Sequence, residues 1–530
     1  MAQWLDIGVF AAFIAVVVSF SMFMSRRERD SEDYFLAGRG LRWPLIGFSI
    51  VAANISTEQF VGMAGAGAGD VGLAVAGYQL LGAVTIIFVA LFFLPRFLRA
   101  GIYTMPEYLE YRYNSAARAI MAFYMMVIYV AVTITAVLYS GGLTLHTIFG
   151  IDLTVAVWLI GAIAALYTTW GGLKAVAWAD LFQGSGLLIG GLVTMVLGFL
   201  AIGRLAGDAG DAGGWFMLLR AGVSDFGREN AGRLHMVLPA NHPEIPWTAL
   251  VVGLWIPNFY YCGLNQFIVQ RTLAARTLRQ GQFGIIFAAG LWLIVPFAIV
   301  MPGIMAVQLY GGQLGQADQA YPTLIHHLVP AGLKGLILAA LAGAVISSLA
   351  SMLNSASTIF TMDLYKRHFA RDAPERQLVL VGRVMTLVFV AIGCLIAPQL
   401  ADPRLKGVFH FIQEFQGYIS PGILAAFVFG FIVKRAPAAA GLAALVLTVP
   451  VYGLLHLVSA SWYEIAFLNR MAITFAVVLA AMTVITLAAP LREPKEMPVK
   501  QDYDSRPSVL VLSLGTAVIA AVVAFYIVFW

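Results

Sequence analysis

The stretch AANISTEQFVGM (52–63) decides the fold, because it places polar and small residues in the middle of an apolar segment. A second apolar segment, 246–267, contains PNFYYCGLNQ (257–266), in which Pro257 and Asn258 interrupt the apolar run and Asn265 and Gln266 follow seven residues on. Interrupted helices at matching positions of two halves indicate the binding site of an inverted-repeat transporter. Asn54 and Asn258 take corresponding places in two consecutive five-span blocks. For either segment alone, ordinary helix packing through small and polar residues is the alternative.

The composition is that of a membrane protein. Of the 530 residues, 61% are hydrophobic and 11% are charged, and the mean hydropathy is +0.86. Soluble domains average about 45–50% apolar and about 25% charged residues, so a soluble enzyme and a disordered protein are excluded. The net charge of +5 includes no dense basic stripe, which argues against a nucleic-acid partner. Cys262 and Cys394 lie in apolar segments and predict neither a disulfide framework nor a metal cluster.

Membrane-spanning helices should account for most of the chain. A helix needs roughly 20 mainly apolar residues to cross a bilayer, and about fourteen segments have that character. They predict an all-α polytopic membrane protein with a single transmembrane domain over residues 1–530. The core repeats are expected at about 44–203 and 246–433, and the flanking helices at about 6–24, 439–457, 470–489 and 508–529.

The distribution of Lys and Arg predicts the orientation. With the N-terminus outside, the inner loops hold 23 of these residues and the outer loops hold 6. Because positively charged loops stay on the cytoplasmic side, both termini are expected outside a cell (inner) membrane that the chain crosses many times. The first segment lacks a basic leader and is followed by Arg26, Arg27 and Arg29, which predicts an uncleaved anchor helix.

The ninth span contains the best candidate for an ion site. Ser347, Ser348, Ser351, Asn354, Ser355 and Thr358 form a polar stripe along it. Paired hydroxyls, with carbonyls freed from an interrupted helix, suit a hard monovalent cation, since no carboxylate adjoins the pair and calcium requires several. The lower part of the stripe is expected to make interhelical hydrogen bonds.

Ionisable groups within the spans are costly and therefore functional candidates. Glu58, His410 and Glu414 lie at membrane depth, and buried anchoring of the backbone is the alternative role for the two glutamates. Asp180 begins the sixth span, where a solvated aspartate at a helix start is the ordinary expectation.

Several strings together resemble the sodium/solute symporter family, and within it the bacterial sodium/galactose (sodium/glucose-type) cotransporters. The resemblance follows the chain in order through DYFLAGRGL (33–41), AANISTEQFVGM (52–63), GIYTMPEYLEYRYN (101–114), WGGLKAV (170–176), QRTLAA (270–275), SSLASMLNSASTIFTMDLYK (347–366) and IQEFQGYISPGILA (412–425). It implies the five-plus-five inverted-repeat (LeuT-like) transporter fold with flanking helices.

The resemblance also implies site residues. The family's sodium site falls on the carbonyls of Ala52, Ile55 and Ala344 and the hydroxyls of Ser347 and Ser348, and its sodium exit path on Asp180. The substrate site falls on Asn54, Gln59, Gln79, Asn258, Tyr261 and Gln413. The outer gate falls on Met63, Tyr78 and Phe409, and the inner gate on Tyr261.

Four positions depart from the galactose pattern. A glutamate and a lysine of that pattern are replaced by Gln79 and Trp292, and a tryptophan and a serine by Cys262 and Gly82. The first two changes keep the net charge of the site but remove charged hydrogen-bond partners, which contribute roughly 1.5–3 kcal/mol per bond against about 1 for neutral ones. A neutral sugar or polyol still fits, whereas galactose itself is not implied.

The resulting hypothesis is a sodium-coupled secondary active symporter that imports a small neutral sugar or polyol by alternating access. The alternatives are a symporter of the same family for myo-inositol, an amino acid or a carboxylate, and, more remotely, a proton-pumping antiporter-like respiratory subunit. No enzyme activity and no cofactor are expected, with Na⁺ as the coupling ion. The lipid bilayer is the expected surrounding, and an oligomer is compatible with the sequence but not required.

Overall fold

The computed structural model describes residues 2–25, 37–55, 57–170, 173–206, 214–405, 407–462, 464–500 and 508–530. In these ranges the regular structure is helical, apart from isolated bridges at Leu41–Ala275 and Leu238–Pro246. Ser56, Gly171, Gly172 and residues 26–36 lie outside the described residues, so three of the quoted motifs are covered only in part.

The helices are numbered in chain order. The first half of the chain contains α1 Ala2–Ser25, α2 Trp43–Asn54, α3 Ala64–Ala68, α4 Gly72–Ala100, α5 Met105–Arg112, α6 Ser115–Phe149, α7 Leu153–Trp170, α8 Leu173–Leu205 and α9 Gly214–Glu229. The second half contains α10 Ala249–Leu264, α11 Gln266–Leu273, α12 Leu278–Gln313, α13 Ala320–Leu328, α14 Leu333–Phe369, α15 Glu375–Ala401, α16 Val408–Gln416, α17 Ser420–Ile432, α18 Ala438–Ser461, α19 Phe467–Ala488 and α20 Val509–Val528.

Each predicted span coincides with a helix, but not every one crosses as a single straight rod. Among the described residues, 9 helices are long and apolar enough to cross a membrane, and α16 with α17 forms a tenth candidate bent by 47°. The remaining segments contain shorter apolar stretches, at Trp4–Val17 in α1, Trp43–Asn54 in α2, Leu153–Leu166 in α7 and Ala249–Leu264 in α10. Helices α2 and α10 are both interrupted, as predicted, but only the first interruption lies at the predicted residues.

The two interruptions lie at Ile55 and Asn265. Helix α2 ends at Asn54, and Ile55 leaves the helical region with φ −90° and ψ 70°. Helix α10 ends at Leu264, and Asn265 is extended with φ −78° and ψ 120°. The second break therefore lies near the end of PNFYYCGLNQ and not at Pro257, as the sequence suggested. Pro257 follows a π-helical turn, Ala249–Gly253, in the first turns of the regular helix, where a missing amide donor is tolerated.

The interrupted helix α2 is enclosed by α8, α12 and α14. The closest approach is at Gly184 of α8, where an added Cβ would lie 3.0 Å from the Cβ of Ala52. A larger residue at Gly184 would push α8 away from the end of α2. This packing brings the freed carbonyls at the end of α2 toward the polar stripe of α14.

Candidate ion and solute sites

One internal cavity lies beside both interruptions. Its volume is about 50 Å³, smaller than the roughly 300–1,000 Å³ typical of ligand pockets, so its walls must separate to admit a solute of ordinary size. All six residues assigned to the substrate by the resemblance line it, namely Asn54, Gln59, Gln79, Asn258, Tyr261 and Gln413. The departures Gly82, Cys262 and Trp292 line it as well, so the positions that differ from the galactose pattern face the same space.

Unpaired polar atoms are concentrated in this cavity. Asn258 Nδ2 and Trp292 Nε1 are buried donors, and Asn54 Oδ1 and Gln413 Oε1 are buried acceptors, none with a hydrogen-bond partner among the described residues. Buried polar groups are normally paired, and an exception requires an explanation. A ligand rich in hydroxyl groups explains these atoms, because each hydroxyl both donates and accepts.

Two of the departures are coupled by packing. A Cβ added to Gly82 would lie 3.4 Å from Trp292 Cζ3 and 3.7 Å from Asn258 Oδ1. A Cβ at Gly82 would thus make ordinary van der Waals contact with the indole of Trp292, so the two positions are neighbours at the cavity wall. The sequence treated these changes separately, and their proximity is visible only in the structure.

Two of the three residues that the resemblance assigns to the outer gate line the cavity. They are Tyr78 and Phe409, whose rings meet edge to face with centroids 4.9 Å apart. Met63 is not among the lining residues; it is completely buried and accepts a hydrogen bond on its sulfur from Gln79 Nε2 at 3.7 Å. Tyr261, assigned to the inner gate, lines the cavity and packs edge to face against Phe267 with centroids 5.8 Å apart. Tyr78, Phe409 and Tyr261 therefore each have an aromatic partner at the cavity wall.

The candidate ion site lies where α2 ends beside α14. Ser347 and Ser348 are both buried, and Ser348 Oγ has no hydrogen-bond partner among the described residues. Ala52 and Ile55 lie at the end of α2, where the last carbonyls of a helix lose their amide partners. Ala344 precedes Ser348 by one helical turn in α14. Hydroxyl and carbonyl oxygens are ligands that suit a hard cation, so these residue types fit Na⁺.

Asp180 is not the solvated residue that its position near a helix start suggested. Helix α8 begins at Leu173, and Asp180 lies two turns inside it with only 1% of its surface exposed. Asp180 accepts hydrogen bonds from Ser49 and Ser347, each at 2.5 Å, and forms an ion pair with Arg271 at 3.2 Å. A buried carboxylate persists only when it is paired in this way.

The expectation that no carboxylate adjoins the serine pair is therefore wrong in three dimensions. Because the hydroxyl of Ser347 donates a hydrogen bond to Asp180, the lone pairs of its oxygen remain available to a cation. One carboxylate is still fewer than calcium sites use. A monovalent ion is therefore still favoured, and the hydrogen bond from Ser347 links the candidate ion site directly to Asp180.

The lower part of the stripe makes interhelical hydrogen bonds, as predicted. Ser351 accepts from Arg271 at 3.1 Å, and Ser355 donates to Gln270 at 3.1 Å. Arg271 also donates to Ser49 at 2.7 Å and to the carbonyl of Phe267. The charge count placed Arg271 in an inner loop, but Arg271 lies in helix α11 with 1% of its surface exposed. The only signal of its role in the sequence is a basic residue close after an interrupted span.

The chain is similar to known proteins over most of its length. A model of the Sodium:solute symporter family matches residues 34–448. The chain belongs to the sodium:solute symporter family. It is 39% identical to a sodium/glucose cotransporter of Vibrio parahaemolyticus over 100% of this chain and 98% of that protein. It is 33% identical to a sodium/myo-inositol cotransporter 2 of Bos taurus over 81% of this chain and 66% of that protein.

A solved structure confirms the fold. The structure of a Na⁺-coupled sialic acid symporter in a substrate-bound, outward-open state superposes with a TM-score of 0.77 and 22% sequence identity, covering 93% of this chain and 99% of that one. The symporter is therefore an all-α, LeuT-like membrane transporter. Membership of the family makes it a sodium-coupled solute symporter and not an enzyme, with Na⁺ as its coupling ion.

Further cavity residues escaped the sequence analysis. Thr133 of α6, Met352 of α14 and Gln416 of α16 line the cavity without having been assigned to it. Gln416 lies three residues after Gln413 on one helix, and residues at that spacing share a face. This spacing could have identified Gln416, whereas nothing local in the sequence singles out Thr133.

Proposed function

We propose that the transported solute is a small neutral polyhydroxylated molecule, a monosaccharide or a cyclic polyol such as myo-inositol. The observation that carries this proposal is the set of unpaired donors and acceptors in the cavity wall. The described wall includes Glu58 but no Lys or Arg. An anionic solute would enter this cavity without a countercharge, at a large desolvation cost. The glucose and myo-inositol named for two relatives are solutes of the proposed class.

The proposal assigns Na⁺ to the carbonyls of Ala52, Ile55 and Ala344 and the hydroxyls of Ser347 and Ser348. The unpaired Ser348 Oγ supports this assignment. An ion held there bridges the end of α2 to α14 and fixes Asn54 at the cavity wall. A monovalent ion that crosses the full membrane releases about 2.3 kcal/mol per 100 mV. Its inward movement can therefore drive the uptake of the solute.

Release then proceeds toward Asp180, whose carboxylate already accepts a hydrogen bond from Ser347. A cation leaving the serine pair can exchange its oxygen ligands for this carboxylate. Arg271 competes for the same carboxylate and must be displaced or share it. The opening of Tyr261 from Phe267 gives the solute its inner exit. Two ligands that stabilise different states of one protein in this way are coupled thermodynamically.

The proposed setting is a cell (inner) membrane with both termini outside. The start of α1 supports the outward N-terminus, since Asp6 accepts from the amides of Gly332 and Gly335 at the start of α14. The carbonyl of Phe529, near the C-terminus, accepts from the amide of Met236. Both contacts join chain ends to segments that the distribution of charge assigns outside. We also propose the division into core repeats at 44–203 and 246–433, which lie within or close to the family match.

Uptake by proteoliposomes tests the solute class. Radiolabelled glucose, galactose and myo-inositol are offered with sodium or choline outside, beside a neutral amino acid and a monocarboxylate. We expect sodium-dependent uptake of at least one sugar or polyol. Uptake of the carboxylate alone, or equal sugar uptake with choline, would overturn the proposal.

A further inference from the structure

Helix α16 carries two gate and site residues on one face and a buried carboxylate on another. Phe409 and Gln413 are four residues apart and both line the cavity. Glu414 lies about 100° around the helix from Gln413 and points toward α18 and α19, with 13% of its side chain exposed. The position of this short helix therefore fixes both the outer gate and one wall of the solute cavity.

Glu414 is held by side chains of the flanking helices. Arg470 of α19 donates to Glu414 Oε2 at 2.7 Å, and the hydroxyl of Tyr452 of α18 donates to Glu414 Oε1 at 3.1 Å. His456 Nδ1 lies 3.1 Å from the same oxygen and also contacts Arg470. The guanidinium of Arg470 lies over the ring of Tyr452, 5.3 Å from its centroid. We call Glu414, Tyr452, His456 and Arg470 the gate clamp.

The backbone departs from regular helix at both ends of α16. Gly407 precedes the helix with φ +90°, a conformation that favours glycine, and α16 meets α17 at a bend of 47° after a break at 417–419. A short helix that is set off at both ends in this way depends on side-chain contacts for its position. At its start, Asp318 accepts from the amide of Val408 at 3.0 Å, and near its end the gate clamp holds Glu414.

We infer that Glu414 and Arg470 are positioning residues of the transport cycle, which hold the gate helix α16 against the flanking helices. The inference gives α18 and α19 a role although Tyr452, His456 and Arg470 all lie beyond the family match at 34–448. For the placement of Gln413 against the solute, it rests on the proposed function. The closure of Phe409 on Tyr78 does not depend on which solute is carried.

A thiol in the cavity reports the state of this gate. The full-length chain contains 2 cysteines, and Cys262 lines the cavity. In a Cys394→Ser background, detergent-solubilised protein with sodium is treated with a charged maleimide and the labelling rate of Cys262 is measured. Glu414→Gln and Arg470→Met should each raise this rate several-fold, because the loosened α16 opens the gate more often. Arg470→Lys should lie between Arg470→Met and the starting protein.

The double variant Glu414→Gln/Arg470→Met tests whether the two residues act as a pair. If they do, its labelling rate is no higher than that of either single variant. In proteoliposomes, each single variant should raise the KM for the solute about tenfold, while the maximal rate per reconstituted molecule changes less. Loss of protein amount with unchanged KM and unchanged labelling would overturn the inference, as would effects that multiply in the double variant.

Arg118→Gln is the matched control. Arg118, at the start of α6, pairs with the buried Asp363 of α14 at 2.5 Å, and neither residue lines the cavity. Its loss should lower the amount of folded protein without changing the KM or the labelling of Cys262. If the unmodified protein takes up no sugar or polyol, the proposed solute class is wrong. The labelling of Cys262 still tests whether the gate clamp positions α16, because it does not depend on the solute.

Discussion

The ion site and the solute cavity adjoin one another but are built on opposite principles. Around Asp180 the polar groups satisfy one another, through Ser49, Ser347 and Arg271. Around the cavity, donors and acceptors such as Asn258 Nδ2 and Gln413 Oε1 are left without partners. The charges of a buried ion pair stabilise one another whether or not a ligand is bound, whereas a neutral amide can remain unpaired at moderate cost.

Because of this difference, the two proposed sites are arranged differently for their ligands. The proposed ion site combines a paired charge network around Asp180 with one unpaired oxygen, Ser348 Oγ, that is available to Na⁺. The solute cavity depends on the solute to complete its hydrogen bonds. We therefore expect changes at Asp180 and Arg271 to affect folding most, and changes in the cavity wall to affect mainly solute affinity.

The largest effect is expected from Arg271→Gln, which leaves Asp180 buried without its cation. Removing one partner of a buried ion pair costs about 3–5 kcal/mol, so thermal unfolding in detergent should begin well below that of the unmodified protein. The double variant Arg271→Gln/Asp180→Asn should recover part of the loss. The control is Arg276→Gln, on an exposed side chain close by. If Arg271→Gln and Arg276→Gln were equally stable, a charge network at the ion site would be contradicted.

Ser348→Ala should weaken sodium binding with little loss of stability, since the hydroxyl that it removes has no protein partner. A lost ligand to a charged group contributes about 1.5–3 kcal/mol, which predicts at least about a tenfold higher sodium concentration for half-maximal uptake. Ser355→Ala is the control on the same helix, because Ser355 donates to Gln270. An unchanged sodium dependence would remove Ser348 from the ion site.

Gln413→Ala should raise the KM for the solute and leave the sodium dependence nearly unchanged. One neutral hydrogen bond contributes about 1 kcal/mol, or about fivefold in affinity. Gln282→Ala provides the comparison, since Gln282 is buried outside the cavity wall and donates to the carbonyl of Ala90. If both variants give the same KM, Gln413 does not contact the solute.

The smallest and most selective change is expected from Gln79→Glu combined with Trp292→Lys, which restores the two charged residues of the galactose pattern. We expect the ratio of galactose to myo-inositol uptake to rise by a few-fold in the double variant, and each single variant to perform worse because its new charge lacks a partner. Gly82 adjoins Trp292, so Trp292→Lys alone also leaves part of the cavity wall empty. A single variant that outperforms the double variant would show that the charges act separately.

The sequence predicted most of what depends on local composition. Apolar runs located the helices, and the polar string at 52–63 located the interruption after Asn54, since a broken helix in lipid requires a reason. Predictions from the sequence were wrong where the role of a residue depends on a neighbour far away in the chain. Asp180 looked like a solvated residue until α8 proved to start earlier, and the second break fell at Asn265 instead of Pro257.

By itself, the sequence determined that this chain spans a membrane with two interrupted helices, because hydropathy and helix-breaking residues act within a few turns of backbone. Only the tertiary structure decided which polar groups meet. It joined Asp180 to Arg271 and Glu414 to Arg470, and it left the amides of the cavity unpaired. The physical reason is that the pairing of buried charges depends on distances between helices far apart in the chain, which no local pattern of residues encodes.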